Sequence, residues 1–299
     1  MVSQKQFGHE TNGAEVVASF PKSVADKTST ILLKRNESKA APTIESVKAV
    51  SPSTTVKFVH CDLGKYSSIR TAAESILATT PKIHTLINNA GVMAPAKYNT
   101  TAEGLEVQFG ANHVGHLLLT NILMPAIVAA ACEGARIVNL SSMGWSLGEV
   151  RFDDYNFNGG KDYDKWSAYG QSKSANILFT VELAKRLKGK GVHAFAVHPG
   201  VIVTNLIREV DPKKDYGSVT ERFNSRGDIK MDGSFPWKSL EAGTSTTLVA
   251  ALDPALKVHS GAYLTDCQIA ETADYTTNPD YAERLWALSE KLVGQKFDL

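Results

Sequence analysis

Apolar residues come along this chain in short unbroken blocks, separated by longer stretches of helical period. The blocks are "STILLKR" (29–35), "TTVKFVH" (54–60), "IHTLINNAG" (83–91), "ARIVNLSS" (135–142), "VHAFAVHPG" (192–200) and "GAYLTDC" (261–267). Each has the length and β-branched content of a strand. Unbroken rather than alternating apolarity predicts strands covered on both faces, as in a parallel sheet. Between them the period predicts helices near 43–50, 66–79, 102–123, 167–188 and 240–251, and a last one near 278–293. Alternation of β and α predicts the α/β class: a doubly wound, Rossmann-like parallel sheet in a single domain over 27–299. A polar extension, 1–26, precedes it and is expected to lie over the surface. The rhythm breaks at 205–239, charged and glycine-bearing, where a substrate lid and a plain surface loop are equal readings.

Charge narrows the partners. With 32 basic and 31 acidic residues there is no global field for nucleic acid or an anionic membrane. Cys61, Cys132 and Cys267 form no CxxC pair, which suits free thiols in a reducing compartment. The N-terminus has no signal-peptide core. The longest apolar region, Leu117 to Cys132, is interrupted by Thr120, Asn121 and Pro125 and falls short of a membrane span. A soluble, cytoplasmic protein acting on a small molecule is expected. His113 and His116 have a spacing that can hold zinc, but no third ligand of suitable spacing lies near, so no metal is expected.

The chemistry concentrates at strand ends. Tyr169 and Lys173 in "YGQSKSAN" are four residues apart and share a helix face. A phenol with pKa near ~10 is a poor acid or base at neutral pH, and a nearby ammonium brings it closer to useful proton transfer. Alone this pair is weak, since any helix can carry it by chance. Three strand ends add to it: "LINNAG" (86–91), "RIVNLSS" (136–142) and "VHPGVIVTN" (197–205). Open α/β sheets bind ligands beyond the carboxyl ends of their strands. Turn chemistry explains each of these endings singly but not their order.

Together with "CDL" (61–63), "NHVGHLLLT" (112–120) and the C-terminal "GAYLTDCQIA", these motifs resemble the short-chain dehydrogenase/reductase family, in its retinol-dehydrogenase-like branch. The resemblance implies an NADP(H)-dependent oxidoreductase interconverting an alcohol and a ketone or aldehyde. It implies a catalytic tetrad of Asn112, Ser142, Tyr169 and Lys173. Tyr169 would exchange the proton, Lys173 would tune it and bind the nicotinamide ribose, Ser142 would position the substrate oxygen, and Asn112 would hold a relay water. For the coenzyme it implies Asp62 and Leu63 on the adenine side, and Asn89, Ala90 and Gly91 at the ribose. Pro199, Gly200, Ile202, Val203 and Thr204 would lie at the carboxamide, with Lys34 and Arg35 at the NADP 2′-phosphate. The aromatic stretch 145–166 is expected to pack the surface and partly line an apolar substrate mouth. For the Asn112 helix, pairing with the Tyr169 helix in a homodimer and packing onto its own sheet stand as equal readings.

One part of the pattern is missing. The family opens with a strand, a TGxxxGxG turn, a helix and a second strand, and its glycines let backbone reach the pyrophosphate. Here no glycine occurs between Gly13 and Gly64. A crossover alone needs at least ~10–12 residues, and Lys27 to Arg35 spans nine. The first βαβ unit is therefore truncated, and "STILLKR" is expected in either the first or the second strand slot. The alternative to a working enzyme is a catalytically impaired relative serving as a binding or oligomerisation partner. A sugar-nucleotide epimerase ranks below both.

Overall fold

A computed structural model describes residues 7–24, 29–202, 204–207, 210 and 237–299. Val203 and nearly all of the 205–239 segment, including its assignment as a lid, fall outside the described residues. The chain opens with two short helices, α1 (Gly13–Ser19) and α2 (Pro21–Val24). The polar extension is therefore more than a surface strap. Val16 is fully buried and Phe7 nearly so, in one apolar cluster with the central strands. Asn12 and Glu15 close the start of α1 as a reciprocal capping box.

The strand blocks then follow. They are β1 (Ser29–Lys34), β2 (Thr55–His60), β3 (Thr85–Asn88), β4 (Ala135–Leu140) and β5 (Val192–His198). The helices between them are α3 (Ala41–Val50), α4 (Tyr66–Leu77), and α5 (Val107–Phe109) leading into α6 (Gly115–Val128). Next comes α7 (Lys165–Arg186). After β5 come two-residue strands β6 (Val201–Ile202) and β7 (Trp237–Lys238), then α8 (Leu240–Gly243) and α9 (Ser245–Leu252). The chain ends with β8 (Tyr263–Thr265), β9 (Gln268–Ala270), α10 (Asp274–Thr277) and α11 (Pro279–Val293).

The sheet comes in two pieces. β3, β4, β5 and β8 are parallel neighbours, closed by an antiparallel β9. β1 and β2 form a separate parallel pair in register from Ser29 opposite Thr55 to Lys34 opposite His60. "STILLKR" thus pairs with "TTVKFVH", and no described strand hydrogen-bonds between β1 and β3. Thr85, Ile87, Asn89 and Ala90 are exposed along β3 and just past it, whereas every residue of β4 is buried.

Two apolar layers sandwich the larger piece. On one face α4, α6, α7 and α11 bring together Ile69, Leu118, Ile127, Phe179 and Trp286. On the other, α9 and the N-terminal segment cover Val138, Phe195, Val197 and Leu264. Ile31, Leu33 and Val59 pack only partly buried against the first layer, and α3 buries no residue at all.

The helix from Val107 to Val128 has the length and apolarity of a membrane span, but 78% of its apolar 18-residue stretch is buried within the protein. Leu117, Leu118, Leu119 and Leu123 are buried in the apolar layer shared with α4 and the sheet. The adjoining surface of α7 is covered by α11: Arg186 lies 4.3 Å over the Trp286 ring and Lys185 pairs with Glu283 at 2.8 Å. His113 Nε2 meets Ser289 Oγ of α11 at 2.8 Å. These contacts bury the Asn112 helix and cover part of α7 within the chain.

Candidate active site

Short polar endings on buried strands bring the predicted residues to one edge. The two asparagines of "LINNAG" divide the work there. Asn88 is buried and donates to Thr120 Oγ1 and Asn139 Oδ1 at 2.9 and 2.8 Å, while Asn139 donates to Thr180. That ladder ties β3 and β4 to α6 and α7 through the Asn88 and Asn139 amide N–H groups, while Asn88 Oδ1 is buried without a partner. Asn89, one residue on, reaches the pocket.

The pocket has an empty volume of about 920 Å³, including its open mouth. Asn89, Gly91, Ser142, Tyr169, Lys173, Pro199, Gly200 and Ile202 all line it. Apolar walls come from Met93, Met143, Leu147, Trp166 and Leu206. Of the aromatic stretch 145–166, only Trp166 lines the pocket; Phe157 is buried and Tyr155 stacks on Phe109.

Lys173 is buried, and its ammonium donates to the Leu140 carbonyl at 3.0 Å. Burial pushes its pKa down to about 8, because the charged form is poorly solvated there. Its Nζ lies 5.4 Å from the centre of the Tyr169 ring. The adjacent serines are distinguished by their partners. Ser141 spends its hydroxyl proton on the Lys173 carbonyl at 2.8 Å. Ser142 Oγ instead accepts from Gly144 N–H at 3.0 Å, which leaves its own proton to face the pocket.

Asn112 sits in a π-helical turn, Gly110–Val114, between α5 and α6. Such turns recur at functional sites. Its side chain clamps Val92, accepting from that N–H at 2.8 Å and donating to its carbonyl at 2.9 Å, and also donates to Ser172. The Asn112 carbonyl is engaged with His116 Nδ1. Asn112, expected to hold a relay water, thus turns its side chain onto the pocket loop and its carbonyl to His116.

Sequence reasoning missed several contributors. Gly144 lets backbone touch the reactive ring: a Cβ there would come within 2.7 Å of Tyr169. Gln108, fully buried, accepts from Ala94 N–H at 2.8 Å and donates to the Lys165 carbonyl at the start of α7. Ala94 has φ of 48°, a left-handed conformation that a residue with a Cβ rarely adopts. His198 also lines the pocket; burial pushes its pKa down to about 4, and its Nδ1 has no partner. Its place in "HPG" was the available signal. Nothing in the local sequence marks Gln108.

The nicotinamide half of a dinucleotide fits these residues. Gly91 leaves a cradle that a Cβ would fill, 3.0 Å from Asn112 Oδ1 and facing Lys173. The adenosine half does not fit as expected. Lys34 is turned to the Lys39 carbonyl and Thr43 at 3.0 and 3.3 Å, and Arg35 is exposed to solvent. Asp62 caps Gly64 N–H at 3.0 Å and borders a separate groove between β2 and α4. Leu63 is packed against Gly115, and Ala90 is exposed; neither lines the pocket. Thr204 is exposed and its hydroxyl accepts from Leu206 N–H at 3.2 Å.

Comparison with known proteins gives the family. The short chain dehydrogenase family matches residues 18–215. Retinol dehydrogenase 12 of Mus musculus is 39% identical over 264 residues, 88% of this chain and 78% of its own. The chloroplastic short-chain dehydrogenase TIC 32 B of Brassica napus is 35% identical over 88% of this chain and 80% of its own. A crystal structure of an uncharacterized protein from Mycobacterium paratuberculosis superposes with a TM-score of 0.65 at 30% identity, covering 90% of this chain and 85% of that one. The protein is a short-chain dehydrogenase/reductase with a Rossmann-like fold, similar to the retinol dehydrogenases.

Proposed function

We propose that this oxidoreductase interconverts an apolar alcohol with its aldehyde or ketone, with Tyr169 as the proton-exchanging group. The observation that carries the reading is the convergence of Ser142, Tyr169 and buried Lys173 on one apolar-walled pocket. When bound, a nicotinamide supplies or accepts the hydride. Tyr169 gives its phenolic proton to the substrate oxygen during reduction and takes it back during oxidation. The Lys173 ammonium favours the phenolate that results. With its pKa near 8, Lys173 can also pass a proton on in mildly alkaline solution. Ser142 donates its free hydroxyl proton to the same substrate oxygen. Asn112 is a positioning residue: its clamp on Val92 sets the loop that carries Gly91 to Met93.

Lys34 and Arg35 do not line the pocket, so the reading covers both NADP and NAD. The apolar wall of Met93, Met143, Leu147 and Trp166 supports an apolar substrate, and the likeness to retinol dehydrogenases makes a retinoid the first one to try. The burial of the Val107–Val128 helix supports its role as a core helix and, with it, a soluble cytoplasmic protein. The convergence of Ser142, Tyr169 and Lys173 on one pocket argues against the silent-partner alternative.

The test is reduction of all-trans-retinal and of simple aryl ketones by purified protein with NADPH or NADH, followed by product chromatography. Turnover of at least one carbonyl that is lost in Tyr169→Phe is the expected result. Equal turnover by the variant, or none by either protein with any carbonyl, overturns the reading.

A further inference from the structure

The two ends of the site differ in how well they are built for a dinucleotide. At the nicotinamide end, Gly91, Tyr169, Lys173 and the Pro199–Ile202 segment surround one pocket. At the other end, a phosphate cradle needs a glycine turn opening a helix, because free backbone N–H groups must reach the pyrophosphate. Only four residues separate Val24, the end of α2, from Ser29, the start of β1. Neither helix ahead of β1 can substitute. α2 has four residues. α1 has seven, Asn12 Oδ1 already accepts from the Glu15 N–H, and Glu15 places a negative charge in its first turn. Gly13 is also pressed against Thr244 and Leu248 of the α8–α9 region. The candidate 2′-phosphate ligand Lys34 is hydrogen-bonded to its own α3 approach.

From this mismatch we infer that the chain has a nicotinamide-mononucleotide site, in which the adenosine diphosphate half of a dinucleotide adds little affinity. This rests on the oxidoreductase reading of the pocket. The ligand class is a reduced or oxidised nicotinamide ribonucleotide, recognised through its ring and ribose by Gly91, Lys173 and the 199–202 segment. The affinity of most dinucleotide sites draws on phosphate contacts made by charge-assisted hydrogen bonds. Among the described residues that line the pocket, Lys173 is the only lysine or arginine, and it is spent on the Leu140 carbonyl. Binding should accordingly depend little on ionic strength.

The experiment is equilibrium titration of the full chain with NMNH, NADH and NADPH, read by quenching of tryptophan fluorescence, since Trp166 stands in the pocket wall. The three dissociation constants are expected to agree within about threefold, in the millimolar range. Adenosine 2′,5′-bisphosphate should fail to displace NADPH. The double variant Lys34→Ala/Arg35→Ala should bind NADPH as the parent does, and Gly91→Val should weaken all three ligands together. NADPH binding more than about 30-fold tighter than NMNH would overturn the inference while leaving the oxidoreductase reading intact. Failure of all three to bind saturably would overturn both.

Discussion

β4 and β5 are buried along nearly their whole length, whereas β2 and β3 alternate between exposed and covered positions. Both pairs belong to one parallel α/β pattern, and both are built of β-branched, apolar residues. What differs is the company. β4 has a strand on each side, α6 and α7 on one face and α9 on the other. β1 and β2 have one strand partner each among the described residues, and α3 covers them without burying a residue. A strand is stabilised mostly by what packs on it, at about 25 cal/mol per Å² of apolar surface removed from water. The complete half also holds the proposed catalytic residues, and the truncated half was to hold the adenosine diphosphate. The proposed chemistry thus lies where the packing is whole.

The largest expected effect tests whether the complete half is a working catalyst. Tyr169→Phe should lower kcat by roughly 10²–10⁴-fold while leaving the melting temperature within a degree or two. A folded variant with near-normal kcat would break the assignment.

Next comes repair of the truncated half. Inserting a strand–TGxxxGxG–helix segment between Thr28 and Ser29 should raise the melting temperature by several degrees, because one strand and one helix contribute kcal/mol-scale burial. It should also make NADPH bind more tightly than NMNH. Equal melting temperatures and unchanged ligand preference would show that the gap is benign.

A matched pair of truncations measures the contrast directly. Phe195→Ala, at a fully buried site in β5, should cost about 3–5 kcal/mol. Leu33→Ala, half-buried in β1, should cost about 1 kcal/mol. Chemical denaturation of both variants checks the ordering, and equal costs would erase the distinction.

Acid should act first on the complete half. Burial pushes the pKa of His113 down to about 3 and those of His116 and His198 to about 4, so all three stay neutral in the fold. In the unfolded chain they protonate near the ordinary value of 6.5. The unfolded state then binds more protons, so their contribution is intact above pH 6.5 and is lost as pH falls from there toward 4. Stability should drop by at most roughly 4 kcal/mol per pH unit in the steepest part. Denaturant midpoints measured from pH 7 to pH 4.5 report this, and replacing His113 and His198 by Gln should flatten the curve.

Much of this was legible in the residues. Unbroken apolar runs gave the positions of β4 and β5, and polar strand endings placed Ser142, Gly91 and Pro199 at one edge. The absence of glycine between Gly13 and Gly64 exposed the truncation. Long-range contacts were not legible. The helix expected from 102 begins at Val107, because Glu106 accepts from Gln108 and Phe109 N–H groups and caps it there. The π turn around Asn112 depends on Val92 and Ser172, distant in sequence. Likewise the burial of Val16 depends on a surface supplied by strands more than a hundred residues away.

Hydrogen–deuterium exchange of the unmodified chain tests the contrast between the halves most directly. The amides of β4 and β5 should exchange only through global unfolding, and those of β1 and β2 through cheaper local opening, at least about 100-fold faster. Equal protection across β1, β2, β4 and β5 would contradict the account, because it would mean that the truncated pair is held as firmly as the complete sheet.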